Sequence, residues 1–225
     1  VTECHASYGG GGLYAHDSAT VTVAGEAAVA KCSALAGGGV FLATGGAVVL
    51  TDRAVVTACH ASYGGVIFVK ESATVTVAGG AAVAKCSASV GGGVCVEAES
   101  SVVFRDRAVV TECHASYGGG GLYAHDSATV TVAGEAAVAK CSALAGGGVF
   151  LATGGAVVLT DRAVVTACHA SYGGVIFVKE SATVTVAGGA AVAKCSASVG
   201  GGVCVEAESS VVFRDRAVVT ECHAS

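Results

Sequence analysis

Five residue types are missing from this sequence. It contains no Pro, Met or Trp, and reading along the chain finds no Asn or Gln. Charged residues make up only 13% of the 225 residues, while apolar residues make up 53%. Disordered chains combine high charge with few apolar residues. We therefore expect a folded protein that is long enough to bury a substantial core.

Long apolar runs and clusters of basic residues are also missing. A membrane-spanning helix needs roughly 18 consecutive apolar residues, and Gly runs or polar residues interrupt every candidate segment here. The formal net charge of −5, without a basic cluster, gives no reason to expect binding to nucleic acid. These absences predict no membrane span and no nucleic-acid partner.

The sequence is highly repetitive. Residues 1–109 recur unchanged as 110–218, and residues 219–225 begin a third copy. Within each copy similar segments return every 27 residues, and one extra Gly stands in the run at 118–121. A fixed period of 20–50 residues is typical of stacked repeat architectures. We therefore interpret 1–225 as a single continuous repeat array.

The repeat unit favours strands over helices. It is rich in Gly and β-branched residues, and its apolar residues alternate in short bursts such as 21–23, 27–29 and 40–42, the pattern expected of short strands. In a parallel β-helix each residue lies above its counterpart in the next coil at about 4.8 Å, which accounts for the fixed period. The sequence predicts an all-β fold: a parallel β-helix, or β-solenoid, of about eight coils of 27–28 residues with three short strands each.

Rows of equivalent residues define the expected register. Glu112 is expected between Lys85 and Lys140, and Lys70 beside Glu97, so opposite charges are neighbours across strands. Exposed pairs contribute only about 0–1 kcal/mol each, so these rows specify register more than stability. The Gly runs at 37–39, 64–65 and 91–93 are expected at the corner before a strand, with positive φ or a close backbone approach. Two inward rows of aliphatic residues are also predicted: Val1, Val29, Val56, Val83, Val110, Val138, Val165, Val192 and Val219, and Val40, Ile67, Val94, Leu122, Val149, Ile176 and Val203.

Two short motifs resemble those of a known repeat family. The segments Gly38-Gly39-Val40 and Val29-Ala-Lys-Cys32 are similar to the paired GGA(I/L/V) and FxxN motifs of the chlamydial polymorphic outer-membrane proteins. In this sequence Cys replaces the Asn in every coil and Val replaces the Phe. The resemblance spans nearly the whole chain. It implies a right-handed parallel β-helix in an elongated stalk that is extracellular or at the cell surface, often with an adhesive role.

One cysteine per coil occupies an equivalent position. Three interpretations remain open: a row of buried thiols that behave as small apolar residues, disulfides between successive coils, and metal binding, which is disfavoured because no CxxC or HxxxH spacing occurs. We predict a structural row and no metal site or cofactor. Its members are Cys4, Cys32, Cys59, Cys86, Cys113, Cys141, Cys168, Cys195 and Cys222.

A second row carries mostly aromatic residues on the strand after each Gly run. It is predicted to point outward, either as ordinary strand surface or as an apolar stripe for lateral contact with another molecule. The row consists of Phe41, Phe68, Cys95, Tyr123, Phe150, Phe177 and Cys204.

Candidate catalytic groups are present but repeated. His5 follows Cys4, yet adjacent strand residues point to opposite faces, and the consecutive residues His16-Asp17-Ser18 cannot form a relay. Pairs of carboxylates at 97 and 99, and at 206 and 208, are duplicated by the long repeat. Because an enzyme keeps one distinctive site, we predict no catalytic activity and no catalytic residue.

The sequence therefore predicts a structural or fibrous protein, a segment of a longer extracellular rod or filament that self-associates end to end, laterally or both. The chain starts and stops within a repeat, as expected of such a segment. The alternative is a surface adhesin or ligand-binding stalk whose ligand is a glycan, a host surface or ice. Ice binding would use the row Thr22, Val49, Thr76, Val103, Thr131 and Val158, which lacks Thr in every second coil.

Overall fold

The computed structural model describes residues 1–225, which form strands and turns without any helix. It therefore has no helix that could cross a membrane. The strands, in chain order, are β1 Leu13–Ala15, β2 Thr20–Val23, β3 Ala28–Ala30, β4 Val40–Leu42, β5 Ala47–Leu50, β6 Val55–Thr57, β7 Ile67–Val69, β8 Thr74–Val77, β9 Ala82–Ala84, β10 Ser87–Val90, β11 Val94–Val96, β12 Ser101–Phe104, β13 Val109–Thr111, β14 His114–Gly118, β15 Leu122–Ala124, β16 Thr129–Val132, β17 Ala137–Ala139, β18 Val149–Leu151, β19 Ala156–Leu159, β20 Val164–Thr166, β21 Ile176–Val178, β22 Thr183–Val186, β23 Ala191–Ala193, β24 Ser196–Ala197, β25 Val203–Val205, β26 Ser210–Phe213, β27 Val218–Thr220 and β28 His223–Ala224.

These strands stack into a parallel β-solenoid of about eight coils, which confirms the predicted fold class. Sheet 1 contains β1, β4, β7, β11, β15, β18, β21 and β25; sheet 2 contains β2, β5, β8, β12, β16, β19, β22 and β26; sheet 3 contains β3, β6, β9, β13, β17, β20, β23 and β27. Every strand pair within the three sheets is parallel, as in Val48 with Val75. Strand β13 spans the junction between the two long repeats and pairs with both β9 and β17.

The extra residue of the 28-residue coils is absorbed at one place. Between β10 and β14 the pairing changes from Ala88 with Ala115 to Val90 with Gly118, so the register shifts by one residue. Such a bulge lets one strand carry an additional residue without disturbing the pairing beyond it. The strands of sheet 1 are therefore in register again at Val94 and Leu122.

The interior is filled by the predicted aliphatic rows. Val29 pairs with Val56, and Val40 with Ile67, and these residues belong to one core cluster of 51 buried residues. A further inward row on sheet 2 includes Phe104, one of the largest fully buried side chains. Burial of each such side chain contributes roughly 1.5–3 kcal/mol before the entropy cost. The core is therefore a stack of matched rows along the length of the solenoid.

The corners combine left-handed backbone with close packing of coils. Gly37 has φ of 58° and Gly64 of 57°, as predicted for the Gly runs. The corner between sheets 2 and 3, however, places consecutive non-glycine residues in the left-handed region, such as Asp52 at 53° and Arg53 at 65°. Their conformation is held by pairing with the next coil, since the Arg53 amide donates to the Gly79 carbonyl at 3.0 Å. Gly was therefore not needed at these corners.

A fourth side closes each coil between sheets 3 and 1. It consists of short bridges, such as His5 with Ser33 and Ser33 with His60, and of the two-stranded pairs β10–β14 and β24–β28. The sequence predicts only three strands per coil, because the bridging segments of the fourth side are too short and too rich in Gly to show alternating apolar residues. Each coil therefore has three regular sides and one irregular side.

The charge rows have the predicted register but form only some of the expected ion pairs. The Lys31 Nζ and Glu3 Oε1 atoms are 3.1 Å apart. Glu112 forms no ion pair with Lys85 or Lys140, although the three are stacked next to each other. Water screens exposed charges, so a fixed ion pair between them contributes little to stability.

Lys70 forms an ion pair with its neighbour in the chain and not with Glu97, the second expected partner. The Lys70 Nζ lies 2.7 Å from Oε1 of Glu71, its neighbour in the chain. Glu97 is bound instead by a histidine from the following coil. The turn geometry therefore decides the ion-pair partner of Lys70, and the register of the coils does not.

Candidate interaction surfaces and the thiol column

The row of one cysteine per coil forms a thiol column along one inner corner of the solenoid. The side chains from Cys32 to Cys195 are at most 2% exposed and belong to the main core cluster. Each Sγ donates to the carbonyl two residues earlier, for example Cys141 to Ala139 at 3.2 Å, and the Cys59 amide donates to Cys86 Sγ at 3.2 Å. The side chains therefore satisfy their polar groups locally while filling the corner.

All eleven cysteines are free thiols in the structure. Hydrogen bonds with Cys113 and Cys168, together with burial, raise the pKa of Cys141, whereas the same contacts with Cys141 lower the pKa of Cys113 and Cys168. Burial and the nearby Glu97 carboxylate raise the pKa of Cys95, which lies outside the column. A buried neutral thiol is a poor nucleophile. The thiols of the column pack within the main core, and no disulfide joins them.

The mostly aromatic row points away from the main core, as predicted, but most of it is not surface. Phe41 is 1% exposed and Cys95 is fully buried. A Cβ atom added to Gly9 would come within 3.0 Å of the Phe41 ring, and Tyr8 and Tyr63 from the fourth side also lie near this row. Because the fourth side folds over the row, the row forms its own outer clusters. The predicted lateral stripe must be corrected: only Tyr123 and Cys204 are partly exposed.

The surface above this row carries one exposed apolar side chain in most coils. Tyr8 is 58% exposed and Leu35 47%. A groove of about 310 Å³ lies beside them and is lined by Phe41, Lys70 and Glu97, among others. Any molecule that approached this side would therefore meet tyrosine and leucine rather than the buried phenylalanines.

The outward faces of sheets 2 and 3 are uncharged. None of the 28 strands contains Asp, Glu, Lys or Arg, so all of these charges lie in the turns. Sheet 2 presents Thr, Ser, Ala and Val, for example Thr20 and Thr22 on β2, and sheet 3 presents Ala, Val and Thr, for example Ala82 and Ala84 on β9. No part of the chain covers these two faces, because their outward residues remain partly or fully exposed.

Histidine and serine alternate along the fourth side and contact each other between neighbouring coils. The Nδ1 of His5 lies 2.9 Å from Ser33 Oγ, and the same contact recurs in later coils at 2.7–2.9 Å, as between His169 and Ser196. The 27-residue register could have revealed it, because it places every histidine of this row beside a serine. The histidines are exposed and no cleft surrounds them, so the contact links neighbouring coils.

The consecutive residues His16-Asp17-Ser18 and their copies form no relay. His16 Nδ1 lies 2.7 Å from Asp17 Oδ2, and His125 Nδ1 lies 3.0 Å from Asp126 Oδ2. The Ser18 hydroxyl makes no contact with His16, because it follows in a turn with φ of 61°.

His125 differs from its copy His16 because a carboxylate lies in the coil before it. Its Nε2 is 2.8 Å from Glu97 Oε1, and both side chains are about four-fifths buried. Burial lowers the pKa of His125, but the hydrogen bond and charge of Glu97, helped by Asp126, outweigh burial and raise that pKa above its ordinary 6.5. The contact therefore favours the protonated imidazole.

We expect this pair to make stability depend on pH. Since the folded-state pKa is raised, the contribution of protonated His125, of the order of 1 kcal/mol, is present below pH 6.5 and is lost as the pH rises through the folded-state pKa. Glu97→Gln should lower the pKa of His125, measured by NMR titration, and remove this pH dependence of unfolding. His16→Ala is the matched control and should leave it in place. An unchanged His125 titration in Glu97→Gln would contradict the assignment.

The remaining carboxylates do not assemble into a site. Glu97 is engaged by His125, whereas Glu99 has no ion-pair partner, and Glu206 and Glu208 are exposed. No group of three or more His, Cys, Asp or Glu residues is arranged to hold a metal ion. The largest cavity, about 1100 Å³, is an open trough along the corner of Asp106 and Arg107 and has no apolar lining.

Comparison of the chain with family models, with curated proteins and with solved structures gives no match. Function is therefore argued from the surfaces described above.

Proposed function

We propose that this chain is a structural protein, a segment of a longer extracellular or cell-surface rod or filament, whose solenoids associate laterally. The observation that carries the proposal is the confinement of Asp, Glu, Lys and Arg to the turns, which leaves two uncharged sheet faces uncovered. Large exposed apolar surfaces on soluble proteins generally mark interaction sites. Identical long repeats extend the same faces along the axis, so contact area grows with the number of coils.

The repetition of the same polar groups along the solenoid also supports assembly rather than catalysis. The His–Ser contacts occur four times, and the turn charges recur with the long repeat. A reaction centre needs one set of groups in a cleft that excludes water. An evenly repeated surface instead presents the same contact at many points, which suits a fibre. The resemblance to the chlamydial surface proteins agrees with an extracellular stalk.

A second candidate is a ligand-binding stalk, favoured by the hydroxyl groups of sheet 2. Threonine pairs such as Thr74 and Thr76, or Thr129 and Thr131, point outward and their hydroxyls have no hydrogen-bond partner in the chain. A flat array of free hydroxyl and methyl groups could order water on ice or contact a glycan. The intervening coils carry Val instead of the second Thr, which halves the density of the array.

Concentrated solutions of the wild-type chain separate the two candidates. We expect sedimentation velocity to show that the chain associates reversibly within the range of protein concentrations up to about 1 mM. Aligned assemblies should diffract near 4.8 Å along the solenoid axis and near 10 Å between packed sheets. A chain that stays monomeric throughout and shows thermal hysteresis or glycan binding would instead support the ligand-binding stalk.

A further inference from the structure

Sheet 3 has an outward face that alternates in size from coil to coil. Strands β3, β9, β17 and β23 present two alanines each, as at Ala137 and Ala139. Strands β6, β13, β20 and β27 present Val and Thr, as at Val109 and Thr111. The face therefore consists of Val/Thr ridges separated by Ala grooves, each repeating every two coils, or about 9.6 Å.

This alternation runs through both outward rows of sheet 3, whereas on sheet 2 only the row that begins Thr20, Ala47 and Thr74 changes size. On sheet 2 the outward row that begins Thr22, Val49 and Thr76 changes chemistry but hardly changes size, because Thr and Val have nearly the same shape. Sheet 3 is the face on which both outward rows change size together, so that its ridges and grooves could fit into a copy of itself. Two such faces interdigitate when ridges of one lie opposite grooves of the other.

The turn residues that follow sheet 3 alternate with the same period. Lys31, Lys85, Lys140 and Lys194 all follow the Ala strands, whereas Glu112 and Glu221 follow ridge strands and the other two ridge strands are followed by Ala. The opposite rim shows a matching rule. Arg53, Arg107, Arg162 and Arg216 precede the ridge strands, and Glu26, Glu135 or Gly precede the Ala strands.

We propose that sheet 3 packs on sheet 3 of a second copy, with antiparallel solenoid axes and a two-fold axis between β13 and β17. This inference rests on the proposed lateral association and names its surface and geometry. All eight strands of sheet 3 then face a strand of the second copy, and every ridge faces a groove. Ridge β13 faces groove β17 of the second copy, and by symmetry β17 faces β13.

The charges select the same arrangement independently. In this dimer Glu112 faces Lys140 of the second copy, and Arg107 faces Glu135. Lys85 faces the neutral Ala167, so no like charges meet on either rim. A parallel dimer with ridges in grooves would instead place the Arg rim of one copy against the Lys rim of the other. Shape and charge together therefore favour the antiparallel pair.

The area of the face sets the strength of the contact. Eight strands about 4.8 Å apart, each about 10 Å long, give roughly 400 Å² per copy and roughly 800 Å² in total. Stable complexes bury about 1,200–2,000 Å². The 225-residue chain should therefore dimerise only at high concentration, and arrays with more coils should associate more tightly.

Matched substitutions test the face. Ala139→Lys places a charge in the groove that receives Val109 and Thr111, twice per dimer, and should raise the dimer dissociation constant by at least about tenfold, measured by sedimentation equilibrium. Ala156→Lys makes the same change on the outward face of sheet 2 and should leave it unchanged. Far-UV circular dichroism confirms that both variants fold. If only Ala156→Lys abolished association, sheet 3 would not be the contact surface, although lateral association would still occur. If the wild-type chain were monomeric, the proposed function itself would be refuted.

A charge exchange tests the direction and offset. Glu112→Lys and Lys140→Glu each create like-charge contacts across the two-fold axis and should weaken dimerisation about five- to tenfold. An equal mixture of the two variants should restore the wild-type constant, because opposite charges again face each other. Lys85→Glu is the control: it also puts a second carboxylate beside Glu112 within the chain, but it faces Ala167 of the second copy and should not weaken the dimer. A mixture as weak as either variant, or a Lys85→Glu variant as weak as Lys140→Glu, would refute this geometry.

Discussion

Phe104→Ala is expected to destabilise the solenoid by about 3–5 kcal/mol, the usual cost of removing a buried aromatic ring. Phe104 is 1% exposed and lies in the inward row of sheet 2, between Val77 and Val132. These neighbours are held in register by backbone pairing on both sides. They cannot collapse into the space that the ring leaves, so a cavity remains.

The repeat supplies an internal control for this prediction. Phe213 occupies the same position in the second long repeat, but it is 44% exposed in this chain. Phe213→Ala should therefore cost below about 1 kcal/mol. Chemical unfolding of both variants, followed by circular dichroism, measures the difference. Equal losses for the two substitutions would show that Phe104 does not lie in the interior row.

Gly92→Ala should have an effect of similar size for a different reason. A Cβ atom at Gly92 would lie closer than 3.0 Å to the backbone carbonyls of His114 and Gly120 in the next coil. Since backbone atoms cannot turn aside as a side chain can, the coils would have to separate. This would weaken pairing such as the Gly92 amide to Gly119 carbonyl hydrogen bond of 3.0 Å. We expect a loss of about 4 kcal/mol or more.

Gly25→Ala is the matched control for Gly92→Ala. Gly25 has a positive φ of 63°, but no atom lies within 4 Å of an added Cβ. Its counterpart in the next coil is Asp52, with φ of 53°, so the turn accommodates a side chain. The cost should be about 1 kcal/mol. Thermal unfolding and hydrogen exchange of the amides around Gly92 distinguish the two; a mild effect at both sites would argue against close stacking of the coils at the Gly runs.

The period of the sequence was sufficient to predict which residues stack. A 27-residue repeat with one extra Gly places Val29 on Val56 and Val94 on Leu122, and both pairs are formed. The size and polarity of each row then indicated its side of the sheet, because alternate strand residues point to opposite faces. Register and the main core were therefore predictable from sequence alone.

The fate of the outward aromatic row could not be predicted in the same way. Phe41 does point away from the main core, but Gly9 and Tyr8 of the fourth side fold over it. That cover depends on the path of a Gly-rich segment, which carries no alternation of its own. The ion pairs show the same limit, because Lys70 pairs within its own turn rather than across coils.

The sequence by itself determined the fold class, the register of the coils and the composition of every row, because a parallel stack repeats each position at one spacing. Only the tertiary structure decided which outward rows remain exposed and which neighbouring polar groups make contact. These depend on how the corners turn, and identical residues can therefore differ, as His125 on Glu97 differs from His16. The uncharged faces of sheets 2 and 3, on which the proposed association rests, became apparent only once the corners had placed all of the charged side chains at the edges.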